Sequence, residues 1–182
     1  MTESAFPPND LTAFLRLCAG EWLALRSSLT LEAPDATADL DALAEANPRL
    51  QAPPEGEEES WHRSDRGELQ MLFLEPQAAD DPGGLEIRSP QPPSRRLHFH
   101  AGGSYSSEEA NGREGPSGQW QLWPDGSLEL CQRDGERERR ERLWFTQPNL
   151  RLRSTVESLA DGSPGRASFS SEIRRVSRPP AA

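Results

Sequence analysis

The sequence lacks lysine altogether and has only two cysteines, three histidines and one tyrosine. Cys18 and Cys131 are too few for the disulfide framework of a small secreted domain, and no cysteine pair has zinc-ligand spacing. No apolar run approaches the ~18 residues that a membrane helix needs. The first ten residues show no basic stretch followed by an apolar one, as a secretory signal would. We therefore expect a cytoplasmic protein without a membrane partner.

The charge is strongly acidic, because 30 aspartates and glutamates outweigh 20 basic residues and give a formal net charge of −10. Binding to nucleic acid rests on neutralising phosphates, so this balance disfavours a general nucleic-acid-binding protein. All of the basic residues are arginines, whose planar guanidinium groups pair with carboxylates through two parallel hydrogen bonds. Where arginines cluster, the sequence favours a ligand that carries carboxylates.

The length of 182 residues predicts one domain that covers residues 1–182. Apolar residues make up 34% of the chain, and 14 glycines and 17 prolines interrupt them. This composition predicts a modest core and several loops. Residues 1–9 are predicted to be a loose tail. Residues 33–60, rich in Ala, Pro, Asp and Glu, are predicted to be a variable insertion without chemistry of its own.

One helix is predicted near the N-terminus, followed at once by a strand. Apolar residues recur at the spacing of one helix face over residues 11–18, with Asp10 as the N-cap and Gly20 as the stop. After Gly20 the period of the pattern changes to two, and Trp22 and Arg26 share one face of the strand.

A series of about eight short strands is predicted for the rest of the chain. No strand–helix–strand alternation occurs, so the sheet is expected to be antiparallel and to form a sandwich or a closed barrel. A barrel of about eight strands can hold one small ligand. Residues 101–118 are predicted to be a loop. The predicted strands after residue 61 are 69–74, 85–88, 95–100, 119–123, 127–132, 139–146, 149–157 and 166–176.

The C-terminal strands carry the most informative side chains. Arg151 and Arg153 share one strand face, and Glu172 shares a face of the next strand with Ser168 and Ser170. This face has two interpretations. On the outer wall its ion pairs would contribute little. Inside a barrel, two convergent arginines would bind a ligand with two carboxylates, and the glutamate would accept hydrogen bonds from ligand N–H groups or transfer a proton.

The remaining groups predict structure rather than chemistry. His98 and His100 share a strand face, but no third ligand has metal spacing, so a surface or loop-lining role is predicted. The arginines between residues 133 and 142 alternate with acidic residues, which predicts a solvated hairpin edge. The five tryptophans are mostly expected in the core, although indole faces in a cavity would suit a flat conjugated ligand.

Four sequence blocks carry a family resemblance. Residues 141–145 read Glu-Arg-Leu-Trp-Phe, residues 148–153 read Pro-Asn-Leu-Arg-Leu-Arg, and residues 168–174 read Ser-Phe-Ser-Ser-Glu-Ile-Arg. Near the N-terminus, residues 14–26 read Phe-x-x-x-Cys-Ala-Gly-x-Trp-x-x-x-Arg. Together these blocks closely resemble the S/U-type phycobiliprotein chromophore lyases of cyanobacteria. The resemblance is strong at both ends of the chain and weak in its middle.

The resemblance implies a fold and an activity. The fold would be a lipocalin-like antiparallel β-barrel of about eight to ten strands with a short N-terminal helix. Gly20-x-Trp22 is also similar to the lipocalin signature, which implies that Trp22 lies at the barrel base under Arg174 or Arg175. The activity would be the attachment of an open-chain tetrapyrrole, phycocyanobilin or phycoerythrobilin, to a cysteine through a thioether bond.

The resemblance also implies partners and site residues. The partners would be the bilin, an apo-phycobiliprotein subunit, and a second copy of the chain or a paralogous lyase subunit. No metal and no resident cofactor is implied. The residues implied to contact the chromophore are Arg26, Trp61, Arg151, Arg153 and Ser154.

Glu141 and Glu172 are the catalytic residues that the resemblance implies. Thioether formation adds the acceptor thiolate across an ethylidene group of the bilin, and protonation of the bilin makes that carbon more electrophilic. A pocket carboxylate is therefore expected to act as a general acid. At Leu29-Thr30 the sequence departs from the His-His of many family members. A second hypothesis therefore stands beside the first, namely a non-catalytic bilin carrier or the supporting subunit of a heterodimeric lyase.

Overall fold

The computed structural model describes residues 6–30, 62–78, 80–89, 94–159, 161 and 163–175. The predicted insertion, the first residues of the predicted tail and Trp61 lie outside the described residues.

The predicted helix is present as α1 (Leu11–Cys18). The Asp10 side chain caps it by accepting a hydrogen bond of 2.8 Å from the backbone N–H of Ala13. All four residues of its apolar face are buried. Gly20 has a φ of +136°, a conformation that side chains rarely adopt, but the preceding Ala19 is extended. Gly20 therefore turns the chain into the first strand instead of forming a left-handed helix cap. Within the described residues, no helix is long and apolar enough to cross a bilayer.

Ten antiparallel strands form a closed barrel in which each strand pairs with its neighbours along the chain and the first pairs with the last. This architecture confirms the predicted barrel of eight to ten strands with a short N-terminal helix. The strands are β1 (Gly20–Thr30), β2 (His62–Leu74), β3 (Gly83–Arg88), β4 (Arg95–Phe99), β5 (Ser104–Glu109), β6 (Gly118–Leu122), β7 (Leu128–Asp134), β8 (Arg137–Gln147), β9 (Leu150–Leu159) and β10 (Pro164–Arg174).

Two strands differ from the sequence prediction. The prediction of a loop over residues 101–118 is wrong, because β5 lies there and buries Tyr105 and Ser107. Gly118 of the next strand makes room for this tyrosine, since a Cβ there would lie 2.8 Å from its ring. The strand β2 begins seven residues earlier than predicted, and its first part is polar on both faces. Neither stretch carries the alternation of apolar and polar residues by which strands are recognised.

The apolar core fills the end of the barrel next to α1. The ring of Phe14 meets that of Phe145 edge-on at 5.3 Å, and Trp22 lies against the same ring at 6.1 Å. The indole N–H of Trp22 donates to the carbonyl of Cys18 at the end of the helix. The helix therefore closes this end, and the open interior lies towards the other end.

Candidate functional site

The interior of the barrel contains a cavity of about 270 Å³ at the end away from α1. On β1 the cavity is lined by Arg26 and Ser28. The helix joins the barrel at Gly20, and Ser28 follows eight residues later on the same strand, which corresponds to roughly 26 Å. Its volume lies just under the ~300–1,000 Å³ typical of sites for drug-sized ligands. The residues that line the cavity are Arg26, Ser28, Leu69, Met71, Ile87, Ser89, Arg95, Arg139, Glu141, Arg153, Thr155, Glu157, Arg166, Ala167 and Ser168.

A network of ion pairs forms the inner wall of the cavity on strands β8, β9 and β10. Arg153 joins two carboxylates: its Nε donates to Glu172 Oε1 at 2.9 Å and its Nη1 to Glu141 Oε1 at 2.5 Å. The hydroxyl of Ser170 donates to the same oxygen of Glu172 at 3.2 Å. Arg139 Nη2 reaches the other oxygen of Glu141 at 3.3 Å. The face predicted from the sequence therefore points inward, and the interpretation as a solvated outer wall is wrong.

Arg151 lies behind the cavity and does not line it. Its side chain is 0% exposed, and its Nε donates to Glu172 Oε2 at 2.5 Å. The guanidinium group stacks on Trp22 at 4.2 Å from the ring, and Nη1 lies 3.2 Å from the sulfur of Met71. Arg174 covers the same indole at 4.4 Å, as the lipocalin resemblance implies. Arg151 therefore contacts the ion-pair network through Glu172 on one side and the apolar core through Trp22 on the other.

The two buried carboxylates are ionised at neutral pH. Burial by itself would raise the pKa of Glu172, but Arg153 and Arg151 outweigh it and lower the pKa to about 2. Burial acts on Glu141 in the same sense, and three surrounding arginines again outweigh it, so its pKa lies below the usual range. Neither group therefore holds a proton to donate in the resting protein.

The residues predicted to contact the chromophore occupy three kinds of position. Arg26 and Arg153 line the cavity, whereas Arg151 is sealed behind it. Ser154 lies on the opposite face of β9, because successive side chains alternate and its neighbours Arg153 and Thr155 point inward. Its assignment to the pocket is therefore corrected. The structure does not describe the position of Trp61.

The two predicted catalytic glutamates also differ in position. Glu141 lines the cavity and is 5% exposed, whereas Glu172 is 0% exposed and lies behind the cavity wall. Because Glu172 is ionised and enclosed, it does not fit the predicted role of a proton donor to a ligand in the cavity.

Most of the other lining residues escaped the sequence analysis, among them Arg95, Arg139 and Thr155. Arg139 belongs to the stretch predicted as a solvated hairpin edge, and its neighbours on the outer wall do form such an edge. A usable signal was present, since Arg139 precedes the buried Glu141 by two residues and therefore shares its strand face.

The cysteines and histidines lie apart from the cavity chemistry. Cys18 is fully buried in the face of α1, and burial raises the pKa of its thiol, which makes it a poor nucleophile. His98 lies on the outer side of β4, 4.0 Å from Glu108. In the part of the chain that the structure describes, no three His, Cys, Asp or Glu side chains form a group that could hold a metal ion.

Comparison with known proteins gives consistent matches. Residues 106–175 match a family described as CpeS-like protein. Over 176 residues the chain is 36% identical to "Chromophore lyase CpcS/CpeS 1" of Paulinella chromatophora, an alignment that covers 96% of this chain and 94% of that protein. It is 43% identical over 65 residues to "Chromophore lyase CpcS/CpeS 2" of Synechococcus sp. (strain JA-3-3Ab), which covers 35% and 34% of the two chains.

A solved structure shares the fold. The S-type phycobiliprotein lyase CPES from Guillardia theta aligns with a TM-score of 0.53 and 18% sequence identity, over 91% of this chain and 93% of that one. At this identity the likeness concerns the barrel alone, and it matches the ten-stranded architecture described above.

Proposed function

The chain belongs to the CpcS/CpeS family of chromophore lyases, and from this we propose that it is a phycobiliprotein bilin lyase. In this proposal it binds an open-chain tetrapyrrole, phycocyanobilin or phycoerythrobilin, in the barrel cavity. It then attaches the pigment through a thioether bond to a cysteine of a phycobiliprotein subunit. The name of the Paulinella relative, whose alignment spans nearly the whole chain, supports the activity.

The observation that carries the binding part of the proposal is a cationic cavity in an acidic protein. Five arginines and two glutamates line the cavity, while the whole chain has a net charge of −10. An excess of positive charge in a concave, partly buried site attracts an anionic ligand, and water screens it less than it screens charges on the outer surface. A bilin carries two propionates and a flat apolar chromophore, and Leu69, Met71 and Ile87 supply an apolar wall.

The volume of the cavity bears on how the bilin would be held. About 270 Å³ is small for a tetrapyrrole, so part of the pigment would extend through the mouth. An end ring outside the barrel is accessible to a thiol on another protein. In this arrangement the nucleophile is the thiol of the acceptor protein, so no nucleophile of this chain takes part in the attachment.

The attachment is an addition that needs no oxidant. The acceptor thiolate forms a bond from sulfur to the ethylidene carbon, the carbon–carbon π bond breaks, and a proton is taken up by the neighbouring ring carbon. Protonation of the bilin nitrogens draws electrons from the ethylidene group and makes attack easier. We assign to the ionised Glu141 the task of accepting hydrogen bonds from the pyrrole N–H groups and of stabilising the protonated bilin. Glu172 is then a positioning residue for Arg153.

A transfer assay tests the proposal. The purified protein is mixed with phycocyanobilin and an apo-phycobiliprotein subunit, and pigment that stays on the subunit after denaturation is measured. The same subunit with its acceptor cysteine replaced by serine is the control. We expect a covalent adduct that requires both this protein and the acceptor cysteine.

Two other outcomes would contradict parts of the proposal. A shift of the bilin spectrum without any adduct, also when paralogous lyase subunits are added, would make the protein a bilin carrier. An adduct that appears only with a paralogue would make it the supporting subunit of a heterodimer. A cytoplasmic location belongs to the proposal as well, and fractionation of the source cells tests it.

A further inference from the structure

We propose that Arg95 and Arg139 together bind a carboxylate of the ligand, and that Arg151 does not. The inference rests on the proposed function, because it takes the ligand to be a bilin with two propionates. It assigns the anionic end of the ligand to strands β4 and β8, whereas the sequence analysis placed it on β9.

Arg95 is a cation inside the barrel without a counter-ion at contact distance. It lies on β4 on the same face as Leu97 and Phe99, which are both buried, so its side chain points inward. It lines the cavity, and among the described residues it has no hydrogen bond and no carboxylate oxygen within 4.0 Å. Burial lowers the pKa of its guanidinium group more than the attraction of Glu141 raises it, so the surroundings compensate its charge only in part.

Arg139 lies beside Arg95 and is only partly satisfied. Both arginines line the main cavity and a smaller recess next to Tyr105. Arg139 Nη2 donates to Glu141, but its Nε is buried and has no hydrogen-bond partner in the described part of the chain. Its other carboxylate neighbour, Glu157, is 4.0 Å away. A buried N–H donor without an acceptor is costly, and a ligand oxygen would remove that cost.

The arginines of β9 are less available to a ligand. Nη2 of Arg151 also lacks a hydrogen-bond partner among the described residues, but the side chain is 0% exposed and no ligand in the cavity reaches it. Arg151 is enclosed between Trp22 and Glu172, and Arg153 uses Nε and Nη1 on two glutamates. A propionate that approached Arg153 would also approach two carboxylates and be repelled by them. Arg139 also lies near two carboxylates, Glu141 at 3.3 Å and Glu157 at 4.0 Å. Arg95 has no carboxylate within 4.0 Å among the described residues, so the two arginines together keep a positive charge that an additional carboxylate would balance.

The test compares a bilin with its own ester. Phycocyanobilin and phycocyanobilin dimethyl ester have the same chromophore, but the ester lacks both negative charges. Dissociation constants for both are measured by absorption titration with the wild type, Arg95→Met and Arg139→Met. Arg96→Met and Arg140→Met are matched controls, because these arginines are the next residues on the same two strands and are exposed on the outer wall.

We expect the wild type to bind the diacid more tightly than the diester. Arg95→Met and Arg139→Met should each weaken diacid binding roughly 10- to 100-fold, the range of a charge-assisted hydrogen bond. Binding of the diester should change little, which also shows that each variant is folded. The two control variants should bind both forms like the wild type.

The opposite results are clear. If Arg95→Met and Arg139→Met leave diacid binding unchanged, or weaken diacid and diester equally, the carboxylate is not held there and the inference is overturned while the bilin-binding proposal stands. If the wild type binds neither form, the proposed function fails, and the inference fails with it.

Discussion

At the scale of single residues, the site is defined by which buried charges balance each other. Glu172 is enclosed by Arg151, Arg153 and the hydroxyl of Ser170, and it does not itself line the cavity. Removing one partner of such a buried pair leaves an uncompensated charge and costs about 3–5 kcal/mol. The network therefore holds Arg153 in one orientation, and its disruption should appear first in the stability of the fold.

The pH dependence of stability tests this role. The pKa of Glu172 is lowered from 4.5 to about 2, so its contribution is fully present above the unfolded value and is lost as the pH falls from about 4.5 through 2. A shift of this size corresponds to roughly 3 kcal/mol at neutral pH. We expect Glu172→Gln to be less stable than the wild type at pH 7. Its free energy of unfolding should also fall less steeply with decreasing pH than that of the wild type.

Urea unfolding at a series of pH values between 7 and 2 measures the effect. Glu108→Gln is the control, because Glu108 is more than a third exposed and the nitrogens of Arg96 and His98 lie 4.0 Å from its carboxylate. If the free energy of unfolding of Glu172→Gln depends on pH as steeply as that of the wild type, the carboxylate is not held by its arginines as described.

The sequence predicted the charged wall better than it predicted the full lining. Arg153 was recognised because it shares a strand face with Arg151, and Glu172 because it shares a face of the next strand with Ser168 and Ser170. Arg95 and Arg139 were missed because each lies beside a second arginine, and in a polar strand the composition does not reveal which of the two points inward. The orientation becomes clear only in the structure, where Arg95 shares the inward face of its strand with Leu97, and Arg139 shares the inward face of its strand with Glu141.

At the scale of secondary-structure elements, the junction of α1 and β1 determines how the barrel closes. The helix and most of the strands were predicted, because apolar periodicity marks α1 and β1, and turn signals separate the later apolar runs. The polar first part of β2 and the serine-rich β5 were not, since they are held by pairing with neighbours that the sequence does not identify.

Gly20 makes the junction possible, and its replacement is informative. Its φ of +136° is strained for any other residue, and a Cβ would lie 2.5 Å from Nη1 of Arg174, the arginine that covers Trp22. We expect Gly20→Ala to lower the free energy of unfolding by about 1–3 kcal/mol. Gly67→Ala on β2 is the matched control, because nothing lies within 4 Å of a Cβ there and its φ is ordinary.

Chemical denaturation of both variants at pH 7 measures the difference. The control should stay near the wild type, since alanine is at least as favourable as glycine in a strand. Equal stability of the two variants would show that the junction does not depend on glycine.

At the scale of the whole molecule, the sign of the charge differs between the cavity of the barrel and the chain as a whole. The chain is acidic overall, yet its cavity carries more guanidinium groups than carboxylates. The apolar core and α1 close one end, so the proposed ligand would have to enter from the other. The central claim is that a bilin occupies this interior, and it depends on the alternation of side chains along β9.

Two adjacent residues of β9 test the claim most directly. Thr155 lines the cavity, whereas Ser154 lies on the outer wall opposite Arg142 and Phe169. Thr155→Trp would place an indole in a cavity of about 270 Å³, and Ser154→Trp would place it outside the barrel. The measurement is an absorption titration with phycocyanobilin, with thermal melting to confirm that both variants fold. The account predicts that Thr155→Trp loses binding and that Ser154→Trp binds like the wild type. Wild-type binding by a folded Thr155→Trp, or loss of binding in Ser154→Trp alone, would contradict it.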